Sequence, residues 1–417
     1  MDFGHSAPHP SDTAVTMTTA SGDAHALTPA QRRRGLTAVL LGMTVIGINV
    51  GLFNPLIALN LENQGVSTTF NGVNAALPYI AAILFAPLVP RLASRMGLLG
   101  ILLLAGVIDV AVILAFTLSA DLWVWMGLRF LMGLGMLFHW VGSEIWVNAA
   151  VTDRNRGKII GLNGALFSVG MVCGPLVLRW VGTSGDLPFY ISAGLICGAM
   201  APLLFAFGTA PDARGKHRTN LLAAIRHAPT PILSAFIQGI LFVALFVQLP
   251  IYGLRSGLPE AEAVTLLSAL VIGGIIAPVP IGWLADHMDR RLLLIVCGAV
   301  IFVAILLLPV VFHNTWLAWA LLVLWGGAGG GLYTLGLVRL GELFGPAQLG
   351  AATAAFVMTT HIGSIAGPVM AGVGMDLWNP DGFIVAMAAS AFGFVAFGTW
   401  RYLTVPDSAR KRDNTLV

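Results

Sequence analysis

Two charged residues lie inside apolar runs of the sequence, where ionised side chains are costly. Asp109 and Arg129 are separated from the polar segments on either side by mostly apolar residues. Buried in a low dielectric, they could form a fixed ion pair that only neutralises two isolated charges. Alternatively, they could form a pair that breaks when a proton binds or when the protein changes conformation. The sequence leaves both interpretations open, and it predicts a coupling or gating role for both residues.

Further titratable residues occupy similar surroundings. His361 lies in an apolar run, where a neutral imidazole could hydrogen-bond a substrate, carry a proton or bond to a neighbouring helix. His139 and Glu144 are five residues apart, a spacing that does not place them on one stripe of a helix. We expect Glu144 either to line an inner vestibule or to end its helix beside Arg154 and Arg156, and we favour the second interpretation.

Uncharged polar and aromatic side chains complete the candidate binding site. Amides within a membrane helix can bind a polar ligand, and they can also bridge helices. Aromatic side chains could form the walls of a pocket, and near the ends of a membrane segment they could instead anchor it at the interface. The residues that we expect to bind a substrate are Asn49, Asn54, Tyr79, His139, Gln238, Trp325, Tyr333 and His361.

The composition shows what kind of element must position these side chains. Of 417 residues, 57% are hydrophobic and 10% are charged, whereas about a quarter are charged in a soluble globular chain. The mean hydropathy is +0.86. A net charge of +3 with scattered basic residues argues against nucleic-acid binding. The 3 cysteines lack CxxC spacing, so we expect no disulfide framework, metal site or cofactor. The sequence is that of an integral membrane protein.

A membrane-spanning helix needs about 20 mostly apolar residues, and the chain contains twelve such segments. The predicted limits are 36–59, 72–90, 98–118, 122–145, 159–180, 188–208, 231–251, 262–284, 292–312, 316–338, 349–372 and 382–403. We therefore predict a six-helix bundle over 32–208, a cytosolic linker over 209–230 and a second bundle over 231–405. Residues 1–31 and 406–417 are expected to be cytosolic tails, the first of them disordered.

The basic residues predict the orientation of the chain. With both termini in the cytosol, nineteen of the 22 Lys and Arg residues fall on the cytosolic side. The exceptions are Arg179 and Arg255, which would face outward, and Arg129, which lies within a segment. This distribution follows the positive-inside rule, so we expect both termini to be cytosolic.

The two sets of six segments are related by an internal repeat. Residues 91–97, RLASRMG, align with residues 283–289, WLADHMD, at an offset of 192 residues. Gly170 and Gly174 match Gly363 and Gly367 at an offset of 193 residues, and both pairs end in Gly-Pro. Because six is even, both halves begin on the same side of the membrane. A parallel repeat of this kind places the substrate site near the midplane, between the halves.

These motifs resemble those of the major facilitator superfamily. Residues 282–291, GWLADHMDRR, are similar to its signature loop, and residues 129–135, RFLMGLG, are similar to its fourth-segment motif. The resemblance covers nearly all of residues 32–405. Residues 153–157, DRNRG, and 324–333, LWGGAGGGLY, look like those of a bacterial branch described as sugar or drug transporters. It implies a gating role for Asp286 and Arg290. The first-half loop has Ser94 where the signature has Asp, which implies a weaker contact between loop and helix there.

The sequence and the resemblance together predict a secondary active transporter, not an enzyme. We expect a monomer in the bacterial inner membrane that moves a small organic solute by alternating access and couples the movement to protons. A sugar, a vitamin-like heterocycle or an amphipathic drug would fit, since the predicted site is neutral or weakly charged. One alternative is a uniporter in which the ionisable residues are structural. Another is a non-transporting sensor or assembly protein built on a transporter scaffold.

Overall fold

The computed structural model describes residues 28–151, 155–209 and 225–405. The described chain is almost entirely helical, as predicted. Its helices are α1 Pro29–Asn63, α2 Thr68–Phe85, α3 Val89–Ala115, α4 Leu122–Ala150, α5 Arg156–Val181, α6 Leu187–Phe205, α7 Pro229–Arg255, α8 Glu260–Ile276, α9 Pro278–His287, α10 Arg290–Val311, α11 Thr315–Leu343, α12 Pro346–Leu377 and α13 Gly382–Thr404. Residues 1–27, 210–224 and 406–417, which contain most of the predicted tails and linker, lie outside the described residues.

Local chemistry moves the first helix boundary toward the N-terminus. Residues 29–31, expected in the tail, are helical because Thr28 and Gln31 form a capping box. The Gln31 backbone N–H donates to Thr28 Oγ1, and the Gln31 side chain accepts from the Thr28 backbone N–H. Pro29 occupies the first turn, where its missing N–H costs nothing. The helix therefore begins seven residues before the predicted membrane segment.

Within the described residues, ten helical stretches are long and apolar enough to cross a membrane. The pair α8 and α9, bent by 41° between Ile276 and Pro278, makes an eleventh. One of the ten, Thr68–Leu118, contains both the second and the third predicted segments. Gly97 interrupts this stretch with φ +70°, a conformation that glycine adopts without strain. The number of twelve spans stays a prediction.

The internal repeat reappears as a repeated packing of helices. On α5, Gly170 packs against the backbone of α1, and a Cβ there would lie 2.1 Å from Thr44 O. On α12, Gly363 packs in the same way against α7, 2.0 Å from Phe236 O. Small residues of this kind let helix backbones approach closely in a membrane. The helices α1–α6 form the first half and α7–α13 the second.

A second pair of glycines repeats the contact of the fourth helix of each half. A Cβ on Gly133 of α4 would lie 2.4 Å from Pro78 O on α2. A Cβ on Gly326 of α11 would lie 1.8 Å from Leu270 O on α8. The two contacts are related by the same offset of 192 or 193 residues. The glycines of the repeat thus occupy the places where helix backbones touch.

We expect Gly170→Ala to destabilise the protein. The added methyl group would meet backbone atoms of α1, which cannot move aside as a side chain can, and overpacking costs about 1–3 kcal/mol. The control is Gly164→Ala on the same helix, where a Cβ meets nothing within 4 Å. Thermal unfolding in detergent should show a lower melting temperature for the first variant only. Equal melting temperatures would contradict the close approach of α1 and α5.

Candidate substrate cavity and gate

A cavity with about 500 Å³ of empty space lies inside the first half, among α1, α2, α3, α4 and α6. Its wall combines an apolar surface with a small number of polar groups. The polar lining residues are Asn49, Asn54, Tyr79, Asp109 and Arg129. The apolar lining residues are Ile46, Val50, Phe53, Pro78, Met132, Met136 and Ile196. The structure thus brings together five residues that the sequence predicts to bind substrate or to couple transport. Four of them lie on α1, α2 and α3, and the fifth, Arg129, lies on α4.

Arg129 is held by α1 rather than by an acidic residue. The side chain is 3% exposed, and its Nη2 donates to Asn54 Oδ1. Asn54 is held in turn because its Nδ2 donates to Val50 O at 3.2 Å. The guanidinium carbon lies 5.9 Å from the centre of the Phe53 ring, a cation–π contact. Tyr79 is close enough to interact with the guanidinium electrostatically.

The predicted pair between Asp109 and Arg129 is not formed in this structure. The partner of Asp109 is His139, whose Nε2 lies 3.3 Å from Asp109 Oδ2 in a contact that is not well aligned for a hydrogen bond. Both side chains are buried, at 6% exposure each. The reason is Gly135: its missing side chain leaves room for the Asp109 carboxylate, and a Cβ there would lie 1.9 Å from Oδ1. The carboxylate is therefore drawn against α4 beside His139.

A smaller cavity adjoins the first one. It contains about 310 Å³ of empty space and shares Ile46 and Ile196 with the larger cavity. His139 and Ser143 are its polar lining residues. Since Asp109 lines one cavity and His139 the other, their contact separates the two spaces.

Asn49 bridges helices as well as lining the cavity. Its Nδ2 donates to Ser192 O at 3.2 Å, and Ser192 Oγ donates to Asn49 Oδ1 at 3.1 Å. This reciprocal pair ties α1 to α6 in the buried interior. Of the two alternatives open for the amides, helix bridging therefore applies to Asn49.

The second half contributes less to this cavity than the sequence predicted. His361 approaches it most directly, with its ring centre 5.9 Å from that of Tyr79 and its Nδ1 2.9 Å from Val357 O. Gln238 is half-buried on α7 and does not line the cavity. Gln248 on the same helix is fully buried and bridges the halves: its Nε2 donates to Thr68 O at 3.1 Å and to Pro368 O at 3.3 Å.

Two predicted wall residues lie elsewhere. Trp325 is 1% exposed and belongs to the hydrophobic core. Tyr333 packs against Phe356, with ring centres 5.3 Å apart, and is near enough to Glu144 across the halves to interact electrostatically. Tyr333 does not line the cavity.

At one end of the molecule, which we call the sealed end, polar contacts join the two halves. The carboxylate of Asp376 on α12 accepts hydrogen bonds from the first turn of α2. Thr68 N donates to its Oδ1 at 3.0 Å, and Thr69 N donates to its Oδ2 at 2.9 Å. Thr68 Oγ1 also donates to Asp376 Oδ1, at 2.6 Å. Acidic groups are stabilised at a helix N-terminus, where free N–H groups point outward.

Three further polar contacts lie at the sealed end. Arg255 binds Glu62 in a bidentate pair, with Nε–Oε1 at 2.7 Å and Nη2–Oε2 at 2.8 Å. Thr183 Oγ1 donates to Glu260 at the start of α8. Ser268 Oγ on α8 donates to Val172 O on α5 at 3.0 Å. Because α1 and α7 end here, and α2 and α8 begin here, all of these contacts lie on one side of the cavity.

The opposite end, which we call the open end, is less closely packed. In α5, the buried residues begin only at Gly170, so the first half of that helix is not enclosed by its neighbours. Glu144 on α4 is exposed although Tyr333 of the other half is near it. Both interpretations of Glu144, lining a vestibule and ending its helix beside Arg154 and Arg156, stay predictions, and Arg154 lies outside the described residues. The described ends of α1 and α13 nearest the chain termini also lie at the open end.

The signature loop forms a charged cluster within the second half. Arg290 lies 3.4 Å from Asp286, whose side chain is 72% exposed. A better buried partner is Glu342, which binds both Arg290 and Arg339. We did not predict Glu342 or Arg339 as functional residues, although an acidic residue three positions after a buried arginine is a helical pairing signal. In the first half, Ser94 Oγ donates only locally, to Arg91 O at 2.9 Å.

The fold and the cavity together define a multi-pass membrane transporter, a class of proteins that are not enzymes. The model of the Major Facilitator Superfamily matches residues 39–277 and 256–416. The chain belongs to this family. The resemblance in residues 129–135 and 282–291 is thereby confirmed.

Relatives and solved structures agree with this assignment. The chain is 27% identical over 344 residues to the uncharacterised MFS-type transporter YfkF of Bacillus subtilis (strain 168), covering 80% of this chain and 87% of that protein. It is 28% identical to the uncharacterised MFS-type transporter Ent638_1421 of Enterobacter sp. (strain 638), covering 86% of this chain and 94% of that protein.

Two solved structures share the fold at low identity. One is the nucleoside transporter NupG, with 15% identity, a TM-score of 0.70 and coverage of 88% of this chain and 96% of that chain. The other is a bacterial homologue of the human lysosomal transporter Spinster in an inward-facing, occupied conformation. It has 14% identity, a TM-score of 0.71 and coverage of 90% and 97%.

A double-mutant cycle should show that Asp109 interacts with His139. Asp109→Asn and His139→Gln remove the same contact, so their effects on stability should be coupled by about 1–3 kcal/mol. Asp109→Asn and Arg129→Gln remove different contacts and should be nearly additive. Thermal or denaturant unfolding in detergent measures the stability of the three single variants and the two double variants. Coupling of Asp109 to Arg129 of similar size would show that the two charges do meet.

A second comparison concerns the charged cluster of the signature loop. Glu342→Gln removes the shared partner of two arginines, and we expect it to lower stability by about 1–2 kcal/mol. Asp286→Asn should cost less than about 0.5 kcal/mol, because that carboxylate is mostly exposed. Chemical denaturation measures both, and transport assays should rank the variants in the same order. A larger effect of Asp286→Asn would restore Asp286 as the principal partner of Arg290.

Proposed function

We propose that this protein is a secondary active transporter that moves a small organic solute through alternating access. The observation that carries the proposal is the contrast between the two ends of the molecule. Polar contacts between halves cluster at the sealed end, whereas at the open end the first half of α5 is not enclosed by its neighbours. A protein that exchanges this arrangement for its opposite would expose the cavity to each side in turn.

The kinds of contacts at the sealed end suit such an exchange. Ion pairs and hydrogen bonds near a solvated end contribute little net free energy, because water replaces the partner when they break. Two populated conformations must differ by only a few kcal/mol. The contacts between Asp376 and α2, and between Arg255 and Glu62, meet this requirement better than a continuous apolar interface.

We place both termini in the cytosol, as the distribution of Lys and Arg predicts. The open end then faces the cytosol, and the structure corresponds to an inward-facing conformation, which is also the conformation named for the Spinster homologue. The sequence relatives are bacterial proteins, which supports the bacterial inner membrane as the location. We also propose that the two bundles are domains that span residues 32–208 and 231–405.

Protons are the coupling ion in this proposal. Asp109 and His139 form a buried acid–base pair at the boundary of the two cavities, and the only other charged residue lining the larger cavity is Arg129. A proton arriving at this pair would change the charge of the cavity wall without moving a helix. In a uniporter, the same pair would be structural, and an imposed pH gradient would leave the transport rate unchanged.

The proposed separation of the two halves during transport can be tested by joining them covalently at the sealed end. In the variant Thr68→Cys/Asp376→Cys, thiols replace two side chains whose oxygen atoms lie 2.6 Å apart, and oxidation should join α2 to α12. We expect oxidation to abolish solute exchange in proteoliposomes and reduction to restore it. A concentrative uptake that collapses with a protonophore would support proton coupling.

The matched control is Ala58→Cys/Asn71→Cys. These residues also lie toward the sealed end and are in contact, since Asn71 Nδ2 donates to Ala58 O at 2.8 Å, but both belong to the first half. Oxidation of this pair should leave transport unchanged. If the cross-half disulfide also left transport unchanged, separation at the sealed end would not be part of the cycle.

A further inference from the structure

We propose that Arg129 binds an anionic group of the transported solute, which is a small organic acid with an apolar body. The proposal rests on the transport function proposed above and specifies the class of substrate. It follows from the electrical balance around Arg129 and from the surface of the cavity that this residue lines.

Arg129 has a buried positive charge and only neutral partners. Among the described residues, no carboxylate lies within ion-pair distance of its guanidinium. Its contacts are the Asn54 amide oxygen, the Met132 sulfur at 3.4 Å and the face of Phe53. Buried charges in proteins are normally paired or hydrogen-bonded throughout. Arg129 therefore lacks the counter-charge that its position requires.

The guanidinium also has an unused donor. Arg129 Nε is buried and has no hydrogen-bond partner in the described structure, and Nη1 has only a thioether as an acceptor. A guanidinium binds carboxylates through two parallel N–H groups, and these charge-assisted bonds are stronger than neutral ones. An anionic ligand in the cavity would supply both the acceptors and the missing charge.

The one acidic residue that lines the same cavity is committed elsewhere. The Asp109 carboxylate contacts His139 and packs over Gly135, so it does not neutralise Arg129. Asn49 is likewise engaged, with Ser192. Arg129 thus remains the charged group of the cavity that is available to a ligand.

The rest of the wall describes the body of that ligand. Seven of the twelve lining residues are apolar, including Phe53, Met132 and Met136. A sugar would leave its hydroxyl groups unpaired against such a surface, and unpaired buried polar groups cost about 1–3 kcal/mol each. An aromatic or short aliphatic monocarboxylate places its apolar part there and its charge on Arg129.

The proposal is tested by supplying the counter-charge from the protein itself. Asn54→Asp is nearly isosteric and turns the existing contact with Arg129 into an ion pair. We use benzoate, phenylacetate and hexanoate as probes, with benzamide as the neutral counterpart of benzoate. Binding is read as a thermal shift of the purified protein in detergent, so it does not depend on transport.

We expect the three carboxylates to stabilise the wild-type protein and benzamide to have no comparable effect. Asn54→Asp gains an ion pair with Arg129 and loses the bond from Nδ2 to Val50 O, so its melting temperature is measured first to establish that it is folded. Its apparent affinity for the carboxylates should fall at least about tenfold, as expected for losing charge-assisted bonds. Asn148→Asp adds the same charge at an exposed position of α4 and should bind the carboxylates like the wild type. Arg129→Lys keeps the charge and loses the planar fork, so it should also bind them less tightly.

Several results would overturn the proposal. They are the absence of any shift with the three carboxylates, an equal shift with benzamide, and undiminished binding in a folded Asn54→Asp. An equal shift with chloride would indicate a site for inorganic anions and would reject an organic acid as the solute. If the cross-half disulfide blocks transport but the carboxylates do not bind, the protein remains a transporter with a different substrate. Carboxylate binding without transport would reject the transport function alone.

Discussion

The cost of leaving a polar or charged group unpaired away from water governs this structure more than any other term. In the bilayer interior, water cannot replace a lost partner, so each buried polar atom must find one within the protein. Asn49 and Ser192 meet this requirement by bonding reciprocally across α1 and α6. Asp109 meets it only in part, because His139 contacts one carboxylate oxygen and the other remains without a donor. Arg129 meets it with neutral partners only, so its charge gives the cavity beside it a defined chemical character.

Glycine makes these polar contacts geometrically possible. Gly135 allows the Asp109 carboxylate to lie against α4, and Gly133 allows α2 to approach the same helix. The two halves repeat the backbone contacts, as Gly170 and Gly363 demonstrate, but they do not repeat the charges. Ile301 of α10 lies one repeat, 192 residues, after Asp109. The fold is therefore nearly symmetric, and the chemistry of the cavity belongs to the first half.

The sequence was sufficient for the helical membrane fold, the repeat and the family, because each depends on patterns that one helix carries by itself. Apolar length, glycine spacing and the motif at residues 129–135 are of this kind. Partners across helices were harder to predict. Depth alone suggested that Asp109 faces Arg129, whereas helix rotation and the gap at Gly135 turn it toward His139. Trp325 was expected in a pocket wall because it lies deep in the membrane, but depth does not distinguish a core residue from a cavity residue.

The distribution of contact types fits the proposed exchange between two conformations. Within each half, helices meet through backbone contacts at glycines, and such contacts have one geometry and resist sliding into another. Between the halves, Asp376 holds the first turn of α2, and Arg255 holds Glu62 near the end of α1. These side chains can exchange their partners for water at small net cost when the sealed end opens. At the same end, however, α2 also meets α12 at Gly72 and Gly372, where a Cβ would lie 2.2 Å from the opposing carbonyl oxygen. This contact lies close to the polar ones, so the two helices could pivot about it while the ion pairs around it break.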